Sequence, residues 1–399
     1  MDKGVRGLIR FLTAGESHGP SLTAILEGLP AGLVIDRQKL DLQMARRQKG
    51  YGAGGRMRIE KDSLRITGGL MNGKTTGGPI SIIIPNLDYE SWRERDIAPM
   101  TIPRPGHADL TGTIKYGYSD LRLSLERASA RETAARVAVG AICSQFLEQF
   151  GIVIGSYVVR IGNIQADIPA EMDYLRRFQG AELNDLRCPD QESAEAMRAF
   201  IAETMQQKDT AGGLFEVVAL GVPPGLGSHV HWDRRLDSLL MWSVGSIHAI
   251  KGVEIGPAFE NSGKPGSEVH DEIFIDADDN LVRRSNNAGG FEGGISTGQP
   301  IVVRAAMKPI STVLNPRRSV DLATGEETNT IYERSDFCAV PRAAVVGEAM
   351  VAITLANALL DKTGGDTQDE VGERVARLRK ANIRDIELDN TTWRFGYDT

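Results

Sequence analysis

Cysteine is scarce in this 399-residue chain: Cys143, Cys188 and Cys338 stand far apart, and no Cys-x-x-Cys pair occurs. That spacing excludes a disulfide framework and a thiolate zinc site, and it suits a reducing compartment. No apolar run approaches the roughly 20 residues of a membrane-spanning helix. Met1 to Arg6 lack the long apolar core of a secretory signal. The expectation is a cytoplasmic protein with no membrane contact. Internal repeats, low-complexity tracts and Pro/Ser-rich linkers are also missing. Nor is there an excess of positive charge, since 46 Lys and Arg face 53 Asp and Glu for a formal net charge of −7. Nucleic-acid-binding domains are usually basic throughout, so nucleic acid is not an expected partner.

What is present fits a globular protein with an ample core, at 41% hydrophobic and 25% charged residues. We expect one large domain over residues 1–399, with a helical insertion at about 166–210. Charge is uneven along it. Between Arg37 and Arg65 stand Arg37, Lys39, Arg46, Arg47, Lys49, Arg56, Arg58, Lys61 and Arg65, against only Asp41, Glu60 and Asp62. A local basic surplus in an acidic chain points to a small anionic ligand.

The residue pattern predicts strands at 8–13, 57–60, 63–67, 80–84 and 214–220. It predicts helices from Asp36 to near Gly50, from Ala130 to Phe150 behind a Ser129-x-x-Glu132 capping box, from Asp233 through Val244, and from Pro341 to Leu360. Residues 169–208 are polar and helix-prone. Two polar stretches, 261–280 and 317–333, read as long loops, either functional covers or disordered. Strands and helices do not alternate regularly, so the fold class is α+β with antiparallel sheets and helical layers.

Two phosphate-binding patterns occur in the wrong context. Gly68 to Thr75 spell G-x-x-x-x-G-K-T, yet the strand Ile80–Ile84 follows where the mechanism needs a helix. A Gly-rich hairpin is expected there. An ATP-dependent phosphotransferase using residues 68–75 is kept as the alternative activity. Gly50 to Gly55 match G-x-G-x-x-G but follow a helix, the reverse of the dinucleotide-binding order. These glycines more plausibly let the backbone hug a ligand beside Arg47 and Arg56. His229 and His231 could share a strand face as metal ligands, but no third ligand is placed by spacing, so no metal site is expected.

Two further histidines sit in Gly/Pro turns, His18 in Gly15-Glu16-Ser17-His18-Gly19-Pro20 and His107 in Arg104-Pro105-Gly106-His107-Ala108-Asp109. Such turns present a side chain on a loop, where imidazole can exchange protons near neutral pH. With them come Arg47, Arg56, Arg104, Arg127 and Arg131 near a helix start, and Arg334-Ser335-Asp336. Arginine holds carboxylate or phosphate bidentately and keeps its proton. Several arginines with two histidines imply a polyanionic small-molecule substrate and proton transfer, without a covalent nucleophile.

Along nearly its whole length the chain resembles the chorismate synthase family. The matching stretches are Gly15-Glu16-Ser17-His18-Gly19, residues 45–52 (Ala45 to Gly52), Arg104-Pro105-Gly106-His107-Ala108-Asp109, Arg127 to Thr133, Lys251 to Gly256, Gly289 to Ser296, and Lys308-Pro309-Ile310-Ser311-Thr312. The resemblance implies a 1,4-anti elimination of phosphate from 5-enolpyruvylshikimate 3-phosphate to give chorismate, the last common step of the shikimate pathway to aromatic amino acids. It implies dependence on reduced FMN without net redox change, NADPH as a candidate source of reducing equivalents, a β-α-β sandwich fold, and a homotetramer.

By the same resemblance, His18 protonates the leaving phosphate, His107 serves the flavin near its N1/O2 edge, and Asp336 assists at N5. Arg47, Arg56, Arg104, Arg131 and Arg334 grip the substrate, with Ser17 and Ser129 in support. FMN is held by Arg127, Ala128, Ser129, His248, Ala249, Gly293, Lys308, Pro309, Ile310, Ser311, Thr312 and Arg334. Two departures stand out: Ala53 replaces a usual arginine, which weakens the case for NADPH at Arg47, and Ala128 replaces a common serine.

Overall fold

The computed structural model describes residues 8–54, 61–331 and 335–396. Strands β1 (Arg10–Ala14), β2 (Ser21–Glu27), β3 (Arg65–Gly68) and β4 (Ile80–Pro85) form one antiparallel sheet in the order β1-β2-β4-β3. A second antiparallel sheet holds β5 (Val153–Ile161), β6 (Ile164–Gln165), β7 (Gly213–Leu220), β8 (Ile250–Ile255) and β9 (Ile301–Met307), in the order β8-β9-β7-β5-β6. The helices that place the site are α1 (Arg37–Gln48), α2 (Asp109–Tyr116), α3 (Arg122–Ala128) and α4 (Thr133–Glu148). They are followed by α5 (Tyr174–Glu182), α6 (Gln191–Gln206), α7 (Leu236–Gly245) and α8 (Val340–Thr363).

The layers follow from which faces are apolar. In β4 the burial alternates, with Ile80, Ile82 and Ile84 turned inward, and β2 answers with Leu22, Ala24 and Leu26. Period-two burial gives a sheet one dry face, and α4 packs on it. Helix α8 lies between α4 and the second sheet, against β5 and β7, so the molecule is sheet, two helices, sheet. This is the expected α+β sandwich. The central helices cross closely: a methyl group on Gly140 would lie 2.3 Å from the Ala349 Cβ, so glycine is required there.

Several expectations need correction. Helix α8 is in fact 24 residues long and apolar enough to cross a bilayer, but 89% of its most apolar window is buried inside the fold. It is the central helix of the core, which explains its all-round apolarity. The capping box ahead of α4 does not form. Ser129 Oγ accepts from the Arg131 N–H (3.3 Å) and opens a 3₁₀ turn, Ala130–Glu132. The Glu132 carboxylate instead accepts from Thr13 Oγ1 (2.6 Å) and Arg136 Nε (2.8 Å), and a charged donor outcompetes its own backbone.

The two polar stretches are not structureless. The first holds the strand Ile273–Ile275, which pairs with Leu281–Arg283 just beyond it, and the second holds the hairpin Arg318–Asp321/Glu326–Asn329. The latter docks beside the Arg104 turn, through Ser319 Oγ to the Pro103 carbonyl (2.6 Å) and Leu322 N–H to the Thr101 carbonyl (3.0 Å). The expected strand at 57–60 lies outside the described residues, as do Arg56 and Arg334.

Candidate active site

The His18 turn links β1 to β2. Asn86, at the end of β4, pins it by donating Nδ2 to the carbonyls of Gly19 (2.7 Å) and Glu16 (3.1 Å). Gly15 must lack a side chain, since a Cβ there would lie 2.4 Å from the Ser21 carbonyl oxygen. Glu126 of α3 then holds His18 twice. Its Oε1 accepts from Nδ1 (2.6 Å), and its Oε2 accepts from the His18 backbone N–H (2.7 Å). Burial alone would raise the Glu126 carboxyl, but the hydrogen bonds from His18 outweigh it and keep the acid below its usual range. With Nδ1 committed to a carboxylate, Nε2 is the nitrogen through which this imidazole can exchange a proton. The Trp92 ring flanks it, with centroids 4.5 Å apart.

Neighbouring contacts bring in the other predicted residues. Ser17 and Ser129 are joined through their hydroxyls (3.1 Å). Arg127 Nη2 donates to the Thr13 carbonyl (3.0 Å) and hydroxyl (2.9 Å), at the mouth of the same turn. Ala128 ends α3 between them.

The His107 turn meets the other side of α3. Ser124 Oγ donates to the Ala108 carbonyl (2.8 Å), one residue past His107. His107 Nδ1 donates to Asp109 Oδ1 (2.5 Å), and Arg104 donates Nε to Oδ2 (2.8 Å) and Nη2 to Oδ1 (3.0 Å). Asp109 is fully buried. Burial opposes its charge, yet the His107 and Arg104 hydrogen bonds hold its carboxyl far below the ordinary carboxylate range. Arg104 Nη1 reaches Thr312 Oγ1 (2.9 Å). Lys308 Nζ bridges Ser311 Oγ (2.8 Å) and the Gly106 carbonyl (3.1 Å), so the 308–312 segment walls the turn.

A third group lies deeper. Leu40, Met44 and Arg47 share the buried face of α1, so Arg47 occupies a core position by helical spacing. Its guanidinium meets buried Asp62 (3.4 Å), which Arg131 also contacts, and Arg131 Nε donates to Asn86 Oδ1 (2.9 Å). Asp336 accepts from the Gly54 N–H (2.7 Å) and pairs with Arg342. Ser335 Oγ donates to the Thr312 carbonyl (3.3 Å), tying this group to the His107 wall.

His248 and Ala249 sit at the start of β8, where the Ala249 carbonyl accepts from the Lys308 N–H (3.0 Å). Burial pushes the His248 imidazole down to about 4, with Arg136, His107 and Arg127 adding to the effect against Glu132. Those charges place it among the predicted residues. Ile310 turns its carbonyl to Thr210 Oγ1 (2.8 Å), while Pro309 is exposed. Gly293 is the exception: no described contact joins it to this cluster, and its Cα faces His229 in the hairpin Phe291–Glu292/Ile295–Ser296.

Sequence reading missed Glu126, Asp62 and Arg342, which have no local motif and are paired only by tertiary packing. Asp109 was legible inside its motif but carried no role. The Gly68 to Thr75 pattern is a hairpin, Leu70–Met71 against Lys74–Thr75, with Asn72 and Gly73 at positive φ. His231 is held by Asp233 (2.8 Å) at the surface. Among the described residues no group of three or more His, Cys, Asp or Glu could hold a metal ion.

Comparison with known proteins agrees with this picture. A family model described as chorismate synthase matches residues 9–360. A chorismate synthase from Aquifex aeolicus is 53% identical over 382 residues, covering 92% of this chain and 96% of that one. One from Chlorobaculum tepidum is 50% identical over 390 residues, covering 94% and 98%. A chorismate synthase crystal structure superposes with a TM-score of 0.77 at 46% identity, covering 92% of this chain and 96% of that chain. With matches of this extent laid over two histidine–carboxylate pairs and a buried arginine cluster, the chain belongs to the chorismate synthase family.

Proposed function

We propose that this chain eliminates phosphate from 5-enolpyruvylshikimate 3-phosphate to form chorismate, as a carbon–oxygen lyase dependent on reduced FMN. The observation that carries the reading is the pair of imidazole–carboxylate couples, His18–Glu126 and His107–Asp109, both anchored to one short helix through Glu126 and Ser124, beside buried guanidiniums. A substrate with two carboxylates and a phosphate needs several fixed cations, and a departing phosphate needs both charge neutralisation and a proton.

Arg47, Arg104 and Arg131 are buried and supply those cations without reorganising during the reaction; Arg56 and Arg334 join them in the proposal, and Ser17 and Ser129 add hydroxyl donors. His18 gives the leaving phosphate its proton from Nε2, with Glu126 stabilising the imidazolium from the Nδ1 side. His107, backed by Asp109, holds a proton at the cofactor's edge. Asp336, which pairs with the Gly54 N–H and Arg342, would assist at the N5 of the bound flavin while the substrate's ring proton is removed.

The residues suit a phosphate-bearing flavin. Lys308 touches only neutral oxygens, its ammonium is lowered by burial and by nearby Lys251, and the buried His248 Nδ1 has no hydrogen-bond partner. Such uncompensated cations and donors call for an anionic, polar ligand. Arg127, Ala128, Ser129, His248, Ala249, Lys308, Pro309, Ile310, Ser311, Thr312 and Arg334 would hold it, with Gly293. When bound, reduced FMN would supply transient electron donation to an elimination that has no net redox change. NADPH at Arg47 lacks comparable support, because that guanidinium is turned inward to Asp62 and Ala53 brings no charge.

Assembly as a homotetramer is part of the same proposal, supported by exposed Trp232, Trp242 and Phe259. A cytoplasmic location is supported by three buried, unbridged cysteines. The test is anaerobic phosphate release from the enolpyruvyl substrate with added reduced FMN. Release that requires both overturns the phosphotransferase alternative, and no release overturns the lyase.

A further inference from the structure

A hydrogen bond fixes one point of an imidazole but not the plane of its ring. The terminal torsion of histidine is broad, so a contact of another kind is needed to hold the ring at one tilt. At His18 the Glu126 carboxylate supplies the point, through Nδ1 (2.6 Å). The Trp92 indole supplies the plane: the ring centroids are 4.5 Å apart, with 47° between the two planes.

Trp92 is itself firmly placed. It closes the one-turn helix Tyr89–Trp92, and its Nε1 donates to Asp88 Oδ2 (3.1 Å). Asp88 is buried, and its other oxygen accepts from Ser91 Oγ (2.8 Å). An indole N–H given to a carboxylate is a charge-assisted bond, stronger than a neutral one. The Arg95 guanidinium adds a cation–π contact, 5.7 Å from the indole centroid. This segment begins at Asn86, whose Nδ2 pins the backbone of the His18 turn through the Gly19 and Glu16 carbonyls. One short stretch of chain, Asn86 to Trp92, therefore holds both the backbone of that turn and the tilt of its ring.

Core packing does not account for the tryptophan. Aromatic side chains of this size usually dominate a core, yet Trp92 is half-buried and packs against neither hydrophobic cluster among the described residues. Its one ring–ring contact among those residues is the His18 imidazole.

We propose that Trp92 is a positioning residue for the elimination, holding the His18 imidazole at the tilt from which Nε2 meets the leaving phosphate. It acts through His18 and requires no contact of its own with the substrate. This rests on the reading of His18 as the acid that protonates that phosphate.

The test is a double-mutant cycle on the FMN-loaded enzyme, reading kcat, substrate KM and thermal midpoint. It compares wild type, Trp92→Leu, Trp92→Phe, His18→Ala and the two double variants. Leucine keeps apolar bulk without a flat face, and phenylalanine keeps a flat face without the Nε1 anchor. Trp92→Leu is expected to lower kcat about tenfold or more, the scale of a small misplacement of a catalytic group, with KM and thermal midpoint near wild type. Trp92→Phe should lose only a few-fold. In the His18→Ala background both substitutions should change kcat little, because the ring they position is gone. Equal losses with and without His18 overturn the proposal, as does a raised KM at wild-type kcat, the mark of a wall that touches substrate. If Trp92→Leu does not fold, Trp92→Phe decides through the same cycle. A loss that disappears without His18 supports the proposal, and a loss that persists, or no loss at all, overturns it. Additive losses with an active wild type overturn this inference alone, whereas a wild type that releases no phosphate overturns the lyase reading with it.

Discussion

Ser124 and Glu126 lie two residues apart on α3 and reach to two different histidine turns, Ser124 to the Ala108 carbonyl and Glu126 to His18. One seven-residue helix therefore sets the relative position of both imidazoles. Positioning of that kind is where proximity effects in catalysis originate.

His18→Ala is expected to lower turnover on the order of 100-fold or more, the usual scale for losing a general acid. Glu126→Gln keeps the shape but removes the charge that stabilises the imidazolium. It should lower kcat less than the histidine variant and change the pH dependence of kcat. An unaltered pH profile in Glu126→Gln would show that the carboxylate does not tune His18.

Asp109→Asn tests the second couple. Asp109 is depressed in the folded state, so its contribution to stability is present above the ordinary carboxylate value near 3.8 and is lost as pH falls below it. The variant leaves Arg104 buried with a neutral partner, at a cost on the order of 3 kcal/mol. Urea melts at pH 7 should show that loss, and the difference from wild type should shrink in acid. His107→Ala should lose activity on the order of 100-fold while costing less stability, since Arg104 keeps its carboxylate.

How far the sequence anticipated this site depends on whether a group's neighbours are local. His107, Arg104 and Asp109 fall within six residues, so their motif shows the couple. His18 pairs with a residue more than a hundred positions away, and nothing around Glu126 marks it. Arg47 read as a ligand cation from charge alone, yet its helical spacing with Leu40 and Met44 already placed it inward. The 3₁₀ start at Ser129 was misread because the Ser-x-x-Glu spacing says nothing of Thr13, which claims Glu132 from β1, or of Arg136 one helical turn on, which claims its other oxygen. The α+β class followed from the irregular succession of strands and helices, and the sandwich order from the family resemblance. The docked hairpin Arg318–Asp321/Glu326–Asn329 did not, because its strands are polar on both faces.

His248 carries a pH signature. Its folded value of about 4 lies below the ordinary 6.5, so the unfolded chain takes up a proton first as pH falls. Its contribution to stability is complete above pH 6.5 and is lost between 6.5 and about 4. His248→Gln should flatten that part of the stability curve by on the order of 2 kcal/mol, measured by urea melts at pH 7 and pH 5. Added FMN should make the wild-type slope steeper or shallower only if the flavin contacts this ring. An FMN-independent slope together with unchanged FMN affinity in the variant would remove His248 from the cofactor set.

Lys74 and Thr75 separate lyase from phosphotransferase with two substitutions. In a phosphate loop the lysine reaches the transferred phosphate, so Lys74→Ala would abolish activity. Here Lys74 is exposed on a hairpin, while Thr75 is buried, donating Oγ1 to the Pro30 carbonyl (2.6 Å) and accepting from the Leu33 N–H (2.9 Å). Lys74→Ala should therefore leave kcat and KM near wild type. Thr75→Ala should lower stability by about 1–3 kcal/mol, the cost of orphaning buried backbone groups, with kcat retained in the folded fraction. The opposite pattern, a dead Lys74→Ala with wild-type stability, would return the glycine-rich turn to nucleotide binding, because a hairpin with an exposed lysine offers no other way for that side chain to control turnover.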